Sequence, residues 1–335
     1  MKTRWRLVMF HVVLLAAASS IVAVPASQAI DQVTLALDWI VNGTHAGYFV
    51  AVDKGLYAGN GLAVSIVRGY GSGDTIKRLA AGRATFGVAD TSALVAARAN
   101  DDVPAKAVAM VYGKAALGLI YLKESGIKEP KDLEGKALGR SAAGAGVIML
   151  PGFLKANGID RAKIREVIVD ATSLLPMLLA RKVDVVIEQS IHVPRFETAA
   201  SKQGLHVGAM RYADFGLTSY GNAVMATDSL IREKPDLVRR FVAATLKGLA
   251  WAVENPEEAT QILQKFNREV DPQFSKEELL TLKELAWSEE ARAKGLGYIS
   301  REKMTSTRDV ASQALSLKRT VPVEELYTNE FLPDK

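Results

Sequence analysis

Residues 35–49 read LALDWIVNGTHAGYF, and this stretch decides how the rest of the chain is interpreted. Apolar residues alternate at first, as is typical of a β-strand, and the alternation stops at Asp38 and Trp39. Asn42 and His45 follow before a helical pattern begins. In open α/β sheets, ligands bind where strand ends meet helix starts, because backbone N–H groups are free there. We therefore expect these polar residues to bind a ligand, to take part in catalysis, or to hold a loop.

The first 29 residues are expected to be a secretory signal peptide rather than part of the fold. Lys2, Arg4 and Arg6 precede a short apolar run at residues 7–18, and small residues that suit a signal peptidase follow at 27–29. The apolar run is shorter than the roughly 20 residues that a membrane-spanning helix needs. We expect the mature chain to begin just after this segment and to lie in the periplasm.

The composition excludes several function classes. The formal net charge is +5, and removing the three cations of the expected signal peptide lowers it to +2, so charge does not favour a nucleic-acid partner. The chain has no cysteine, which excludes thiol catalysis and cysteine metal ligands. The chain lacks a histidine and acid pattern with the spacing of a metal site. It also lacks a nucleophile elbow and a phosphate-binding glycine motif. We expect no metal, no cofactor and no enzymatic activity.

Strand and helix patterns alternate along the chain, which predicts an α/β fold with two similar units. We predict a first lobe of residues 30–112 and 222–335 and a second lobe of residues 113–221. A chain that leaves a lobe and returns to it forms a two-strand hinge, which suits closure around a ligand. Amphipathic patterns predict a C-terminal helical block, with helices at residues 235–255, 256–267, 276–287 and 301–315.

Polar loops follow four predicted strands and precede predicted helices, at residues 38–45, 71–75, 90–92 and 141–146. Each loop combines small residues with hydroxyl or acidic side chains at a helix start, where free backbone N–H groups can bind a polar ligand group. Any one of them could simply cap a helix, because Ser, Thr, Asp and Gly are favoured capping residues. Four such loops in one α/β chain favour a shared ligand-binding cleft.

Five motifs carry a family resemblance. They are LDW at residues 37–39, HAGYFVA at 45–51, KGLY at 54–57, GVADTS at 87–92 and GRSAAGAG at 139–146. Together they resemble the thiamine-pyrimidine-precursor binding family, which belongs to the broader group of ABC-importer binding proteins for sulfonates, taurine and nitrate. The resemblance spans nearly all of the chain after the signal peptide.

The resemblance implies a type II periplasmic binding protein that closes on its ligand like a hinge. Its implied partners are a small-molecule ligand and an ABC permease with its ATPase, and we expect a monomer. Position by position, the resemblance implies that Asp38, Trp39, Asn42 and His45 line the first lobe's side of the cleft. Asp90 and Thr91 would lie beside them, and residues 141–146 would close from the second lobe.

Residues 187–192 depart from this resemblance, because they read IEQSIH where pyrimidine binders of the family carry an aromatic-rich segment. Glu188 could instead pair with a protonated or amino-bearing ligand, and an acidic group disfavours sulfonate or nitrate. The candidate ligand-binding residues are Asp38, Trp39, Asn42, His45, Ser72, Asp90, Thr91, Ser141, Gly144, Glu188 and Tyr220.

Three functions stay open from the sequence. We expect a binding protein for an imported planar heterocycle similar to a thiamine pyrimidine precursor, with Trp39 stacking on it. An organic anion such as a sulfonate or an aromatic carboxylate is the alternative ligand. A pyrimidine synthase-like enzyme is the third function, and the absence of cysteine together with the export signal argues against it.

Overall fold

The computed structural model describes residues 30–334, and their strands form two five-stranded sheets. The expected signal peptide, residues 1–29, lies outside the described residues. The strands are β1 Asp31–Ala36, β2 Leu62–Val67, β3 Phe86–Asp90, β4 Ala105–Met110, β5 Leu117–Leu122, β6 Ala137–Arg140, β7 Arg165–Ile168, β8 Val185–Gln189, β9 Val207–Arg211 and β10 Asn222–Thr227.

Helices follow most of these strands and also form the C-terminal part of the chain. They are α1 Ala46–Asp53, α2 Ser72–Ala80, α3 Thr91–Asp101, α4 Ala145–Ala156, α5 Leu174–Leu179, α6 Val193–Ser201, α7 Asp228–Glu233, α8 Pro235–Glu254, α9 Pro256–Phe266, α10 Pro272–Ala286, α11 Glu289–Lys294 and α12 Arg301–Ala314. No helix in this part of the chain combines the length and apolar character that a membrane span requires.

The two sheets are built in the same way. In the first sheet, with order β2-β1-β3-β10-β4, β1 pairs in parallel with β2 and β3, and β10 runs antiparallel to β3 and β4. In the second sheet, with order β7-β6-β8-β5-β9, β6 pairs in parallel with β7 and β8, and β5 runs antiparallel to β8 and β9. We call the parts built on these sheets the first and the second lobe. The α/β prediction with two similar units is confirmed.

The chain crosses between the sheets twice, and the two crossing segments hydrogen-bond to each other. The backbone N–H groups of Val111 and Tyr112 both donate to the carbonyl oxygen of Asn222, at 2.9 and 2.8 Å. Gly221 N–H donates back to the Tyr112 carbonyl at 3.0 Å. These segments form a short paired hinge at the inner edge of both lobes.

The C-terminal helices belong to the core of the first lobe. Phe241 of α8 stacks on Phe86 of β3 with 3.8 Å between ring centroids, and on Tyr57 at 5.4 Å. The Tyr57 hydroxyl bonds to Thr245 Oγ1 at 2.9 Å, which satisfies the polar tip of a buried ring. The amphipathic pattern of α8 therefore reflects its packing on the sheet.

The predicted start of the third C-terminal helix was wrong. The sequence pattern placed it at residue 276, whereas α10 begins at Pro272. Proline suits the first turn of a helix because its missing N–H needs no partner there. Asp271 caps the helix by accepting bonds from the N–H groups of Gln273 and Phe274. The helices α6, α7 and α11 were not predicted.

Helices α1 and α8 cross at two glycines, Gly47 and Gly248. A Cβ atom on Gly47 would lie 2.7 Å from Leu249 Cα, and one on Gly248 would lie 2.4 Å from the Gly47 carbonyl oxygen. Neither neighbour is the end of a flexible side chain, so a side chain here would push the two helix backbones apart.

We expect Gly47→Ala to lower the free energy of unfolding by roughly 1–3 kcal/mol, the usual cost of overpacking a core. Gly59→Ala is the matched control, because a Cβ there would meet no atom within 4 Å. Urea denaturation of both variants and of the parent measures the difference, and equal midpoints for the two variants would contradict this account.

Candidate functional site

Asp38 is a buried carboxylate just beyond the end of β1, and both of its oxygens are hydrogen-bonded. Its side chain is 5% exposed. Oδ1 bonds to His45 Nε2 at 2.9 Å, and Oδ2 accepts a bond from Asn222 Nδ2 at 2.8 Å. A buried carboxylate needs such donors, because leaving it unpaired would cost several kcal/mol. The apolar alternation of the sequence therefore ends at Asp38 because an acidic group is held in place at the edge of the sheet.

The buried His45 ring contacts Asp38 from the protein interior. The backbone N–H of Asn42 donates to His45 Nδ1 at 3.2 Å, so this nitrogen is an acceptor and the ring proton on Nε2 points to Asp38. The Asn42 side chain in turn accepts a bond from the Thr44 N–H at 2.9 Å. The resemblance implies that Asn42 and His45 line the cleft. The His45 ring is buried against Asp38, whereas Asn42 contributes to a cavity at the lobe boundary.

A cavity lies between the two lobes, where the ends of β1, β6 and β8 meet. Its volume is about 30 Å³, which leaves space for two or so water molecules at roughly 10–15 Å³ each. Its walls include six of the eleven sequence-predicted site residues: Asp38, Trp39, Ser72, Ser141, Gly144 and Glu188.

The two lobes touch each other beside this cavity. Gly73 N–H at the start of α2 donates to the Ala143 carbonyl of the second lobe at 3.1 Å. The half-buried Trp39 ring packs against a hydrophobic cluster of the second lobe, and a Cβ on Gly144 would lie 3.7 Å from that ring. In this arrangement of the lobes the cavity is too small to hold a heterocycle.

Asp90, Thr91 and Tyr220 do not line the cavity. Asp90 Oδ1 caps α3 through the Ser92 N–H at 2.8 Å, and burial raises the pKa of Asp90 to about 7. Thr91 Oγ1 donates to the Tyr220 carbonyl at 3.1 Å, and the Tyr220 hydroxyl donates to Glu290 at 2.6 Å. In this structure these residues hold the hinge and the helix start, and their contact with a ligand stays a prediction.

A chain of buried charges crosses the lobe boundary beside the cavity. Glu188 of β8 lines the cavity, and its Oε1 lies 3.4 Å from His192 Nε2. His192 Nδ1 bonds at 2.7 Å to Oε1 of Glu278, which lies on α10 of the first lobe. Glu278 Oε2 accepts a bond from Gly43 N–H at 2.7 Å. The sequence analysis found Glu188 but not His192 or Glu278 as site residues, because 86 residues separate the bonded pair.

The pKa values of these groups are set by burial and by the charges they place on one another. Burial opposes the charged form of His192, but the carboxylates of Glu278 and Glu188 outweigh it and raise the pKa of His192. Burial would raise the pKa of Glu278, but His192 and the Gly43 N–H outweigh it and lower that pKa. Burial raises the pKa of Glu188. The pair of His192 and Glu278 is thus held as imidazolium and carboxylate across the lobe boundary.

Comparison of the sequence with known proteins identifies a family and several relatives. The family model described as NMT1/THI5 like matches residues 42–259. A riboflavin-binding protein of Chloroflexus aurantiacus is 32% identical over 93% of this chain and 90% of that protein. A formylaminopyrimidine-binding protein of Halalkalibacterium halodurans is 26% identical over 70% of this chain and 71% of that protein. Other relatives are named pyrimidine phosphate synthases.

Solved structures show the same fold at low sequence identity. The alkanesulfonate-binding protein SsuA of Xanthomonas axonopodis pv. citri, bound to MOPS, superposes with a TM-score of 0.68 at 13% identity, covering 89% of this chain and 98% of that one. The predicted periplasmic-binding-protein fold is confirmed.

We expect Glu278→Gln to lower the pKa of His192, because it removes the facing carboxylate charge while keeping an acceptor for the Gly43 N–H. The stability from the raised pKa of His192 is fully present below its ordinary value of 6.5 and is lost as pH rises through the folded-state pKa. The stability from the lowered pKa of Glu278 is present above its ordinary value of 4.5 and is lost as pH falls through the folded-state pKa. The variant should therefore lose most stability between these two pH values.

NMR titration of the His192 ring and urea denaturation at several pH values measure both effects. Glu284→Gln is the control, because Glu284 lies exposed on the same helix. An unchanged His192 titration in Glu278→Gln would show that the ion pair does not set this pKa.

Proposed function

Because this chain belongs to the NMT1/THI5-like family, we propose that it is the solute-binding component of an ABC importer that captures a planar nitrogen heterocycle. The observation that carries the proposal is the composition of the cavity wall, where an indole lies beside two buried carboxylates. The names of relatives that bind riboflavin and formylaminopyrimidine support the same class of ligand.

The wall suits a flat ligand with N–H groups at its edge. Trp39 offers an aromatic surface for stacking. Each Asp38 oxygen bonds to one protein donor and has a lone pair left for a ligand N–H. Glu188 offers a second carboxylate acceptor in the same wall as Trp39. Ser72 and Ser141 can donate or accept from the two lobes. A ligand that contacts both lobes would stabilise the closed form.

The charge of the cavity argues against the alternative of an organic anion. Among the described residues that line it, the charged ones, Asp38 and Glu188, are both acidic. A sulfonate or carboxylate placed here would meet like charge without a compensating cation, which disfavours it. This distinguishes the cavity from one that recognises anions.

We propose the periplasm as the location and an ABC permease with its ATPase as partners, in keeping with neighbours of the same fold that are named as parts of an ABC transporter and of an ABC-type import system. The moving units would be residues 30–112 with 222–335, and residues 113–221. The paired hinge segments are short and lie side by side, which suits rotation of one unit against the other.

We further propose that the chain is not an enzyme, although some relatives carry synthase names. Both ring nitrogens of His45 are occupied inside the protein, by the Asn42 N–H and by Asp38. A histidine in this position is poorly placed to react with a bound cofactor. A purified chain that forms a pyrimidine from pyridoxal phosphate and iron would overturn this proposal.

We expect Trp39→Ala to weaken binding of the cognate heterocycle by more than tenfold, because the stacking surface is lost. Trp39→Phe keeps an aromatic face and should weaken binding less. Glu188→Gln should also weaken binding, since the ligand loses a charged acceptor. Calorimetry with riboflavin, formylaminopyrimidine and an alkanesulfonate on the exported chain measures these effects.

A thermal-shift screen with the same three compounds identifies the class of ligand first. A ligand at 100 times its Kd should stabilise the protein by about 2.7 kcal/mol. Stabilisation by the sulfonate alone would refute the proposed class, and an unchanged affinity in Trp39→Ala would remove this residue from the site.

A further inference from the structure

A second and larger cavity lies at the lobe boundary on the far side of residues 38–42 from the first. Its volume is about 390 Å³, against about 30 Å³ for the first cavity. Both lobes contribute to its wall, with Arg68 and residues of α10 from the first lobe, and Thr172 and Arg195 from the second. Glu278 also faces this cavity, so the charge chain through His192 connects the two cavities.

Two arginines in this wall have no side-chain hydrogen bond within residues 30–334. The Arg68 side chain is 38% exposed, but its Nε and Nη2 atoms are buried without a hydrogen-bond partner, and Asp170 Oδ2 is 3.8 Å from Nη2. The Arg68 guanidinium also lies 4.3 Å from the centre of the Tyr70 ring. The Arg195 side chain makes no hydrogen bond or ion pair with the part of the chain that the structure describes, although it lies 5.9 Å from the centre of the Phe196 ring and its charge lowers the pKa of Glu278. Buried donors without acceptors are rare in folded proteins, and each one calls for an explanation.

The carboxylates around the cavity are mostly engaged elsewhere. Glu278 bonds to His192 and Gly43, and Asp271 caps α10. Asp170 accepts bonds from the Thr172 N–H and hydroxyl. Glu269 is exposed, and within the described residues its carboxylate has no hydrogen bond or ion pair. The groups in this wall that still need hydrogen-bond acceptors are therefore the guanidinium groups of Arg68 and Arg195, one on each lobe.

We propose that this second cavity binds a small oxyanion, a carboxylate or a phosphate, between Arg68 and Arg195. Planar guanidinium groups match the oxygens of carboxylate and phosphate, and charge-assisted bonds of this kind are the strong ones. An oxyanion held by both lobes would favour their closed arrangement. It lies next to Glu278, so its negative charge would also stabilise the protonated form of His192.

The oxyanion could arrive alone or as an acidic group on a larger ligand whose ring occupies the first cavity. The protein groups that would recognise it are the same in both cases. The site does not depend on the identity of the heterocycle, since its wall shares none of the residues that line the first cavity.

The test is titration of the exported chain with inorganic phosphate at constant ionic strength, without any heterocycle. We expect saturable binding by calorimetry, with the phosphate Kd raised at least tenfold in Arg68→Gln and in Arg195→Gln. Arg165→Gln is the matched control, because Arg165 is an exposed arginine of the second lobe and the substitution removes the same charge. Glu269→Gln should tighten binding, because it removes a carboxylate from the wall.

A second arm compares riboflavin with riboflavin 5′-phosphate in the parent and in the double variant Arg68→Gln, Arg195→Gln. If the parent binds the phosphate ester more tightly than riboflavin and the double variant does not, the oxyanion in this cavity is an acidic group of the ligand. Simultaneous binding of riboflavin and inorganic phosphate identifies a separate ion. Absence of phosphate binding, or equal phosphate binding by parent and double variant, overturns the proposal and leaves the proposed heterocycle site untouched.

Discussion

The structure depends first on how the carboxylate of Asp38 is kept buried. Its two oxygens are bonded by groups from opposite directions in the chain, His45 seven residues later and Asn222 from β10. These bonds offset the desolvation of the charge. They also fix the turn at residues 38–45, which presents Trp39 to the second lobe and brings Gly43 against Glu278. The cavity wall and the lobe boundary both follow from this one satisfied charge.

The sequence predicted well those features that arise from local pattern. Alternating apolar residues end at Asp38, and small polar residues open α2 and α4, so six predicted residues meet at one cavity. Asn222 and Glu278 were out of reach, because their partners lie 184 and 86 residues away and no periodicity marks such pairs. Asp90 and Tyr220 carry the residue types of a ligand site but serve a helix cap and the hinge, a choice that only tertiary packing decides.

The two cavities differ in charge. The charged side chains of the first, Asp38 and Glu188, are both acidic, whereas the second has two arginines as well as three carboxylates in its wall. His192 and Glu278 lie in the wall between them and stay charged because each neutralises the other. In this chain the ion pair joins the two lobes directly, since His192 lies in the second lobe and Glu278 in the first.

Asn222 connects the wall of the first cavity to the paired hinge segments. Its side chain bonds to Asp38, while its carbonyl accepts bonds from both Val111 and Tyr112 in the other hinge segment. In the proposed binding protein, occupancy of the cavity and the angle between the lobes are therefore linked through one residue. By reciprocity, the free energy with which a ligand biases that angle equals the free energy with which the angle biases affinity. Substitutions at Asp38 and in the hinge will consequently not be additive, since they act on one shared equilibrium.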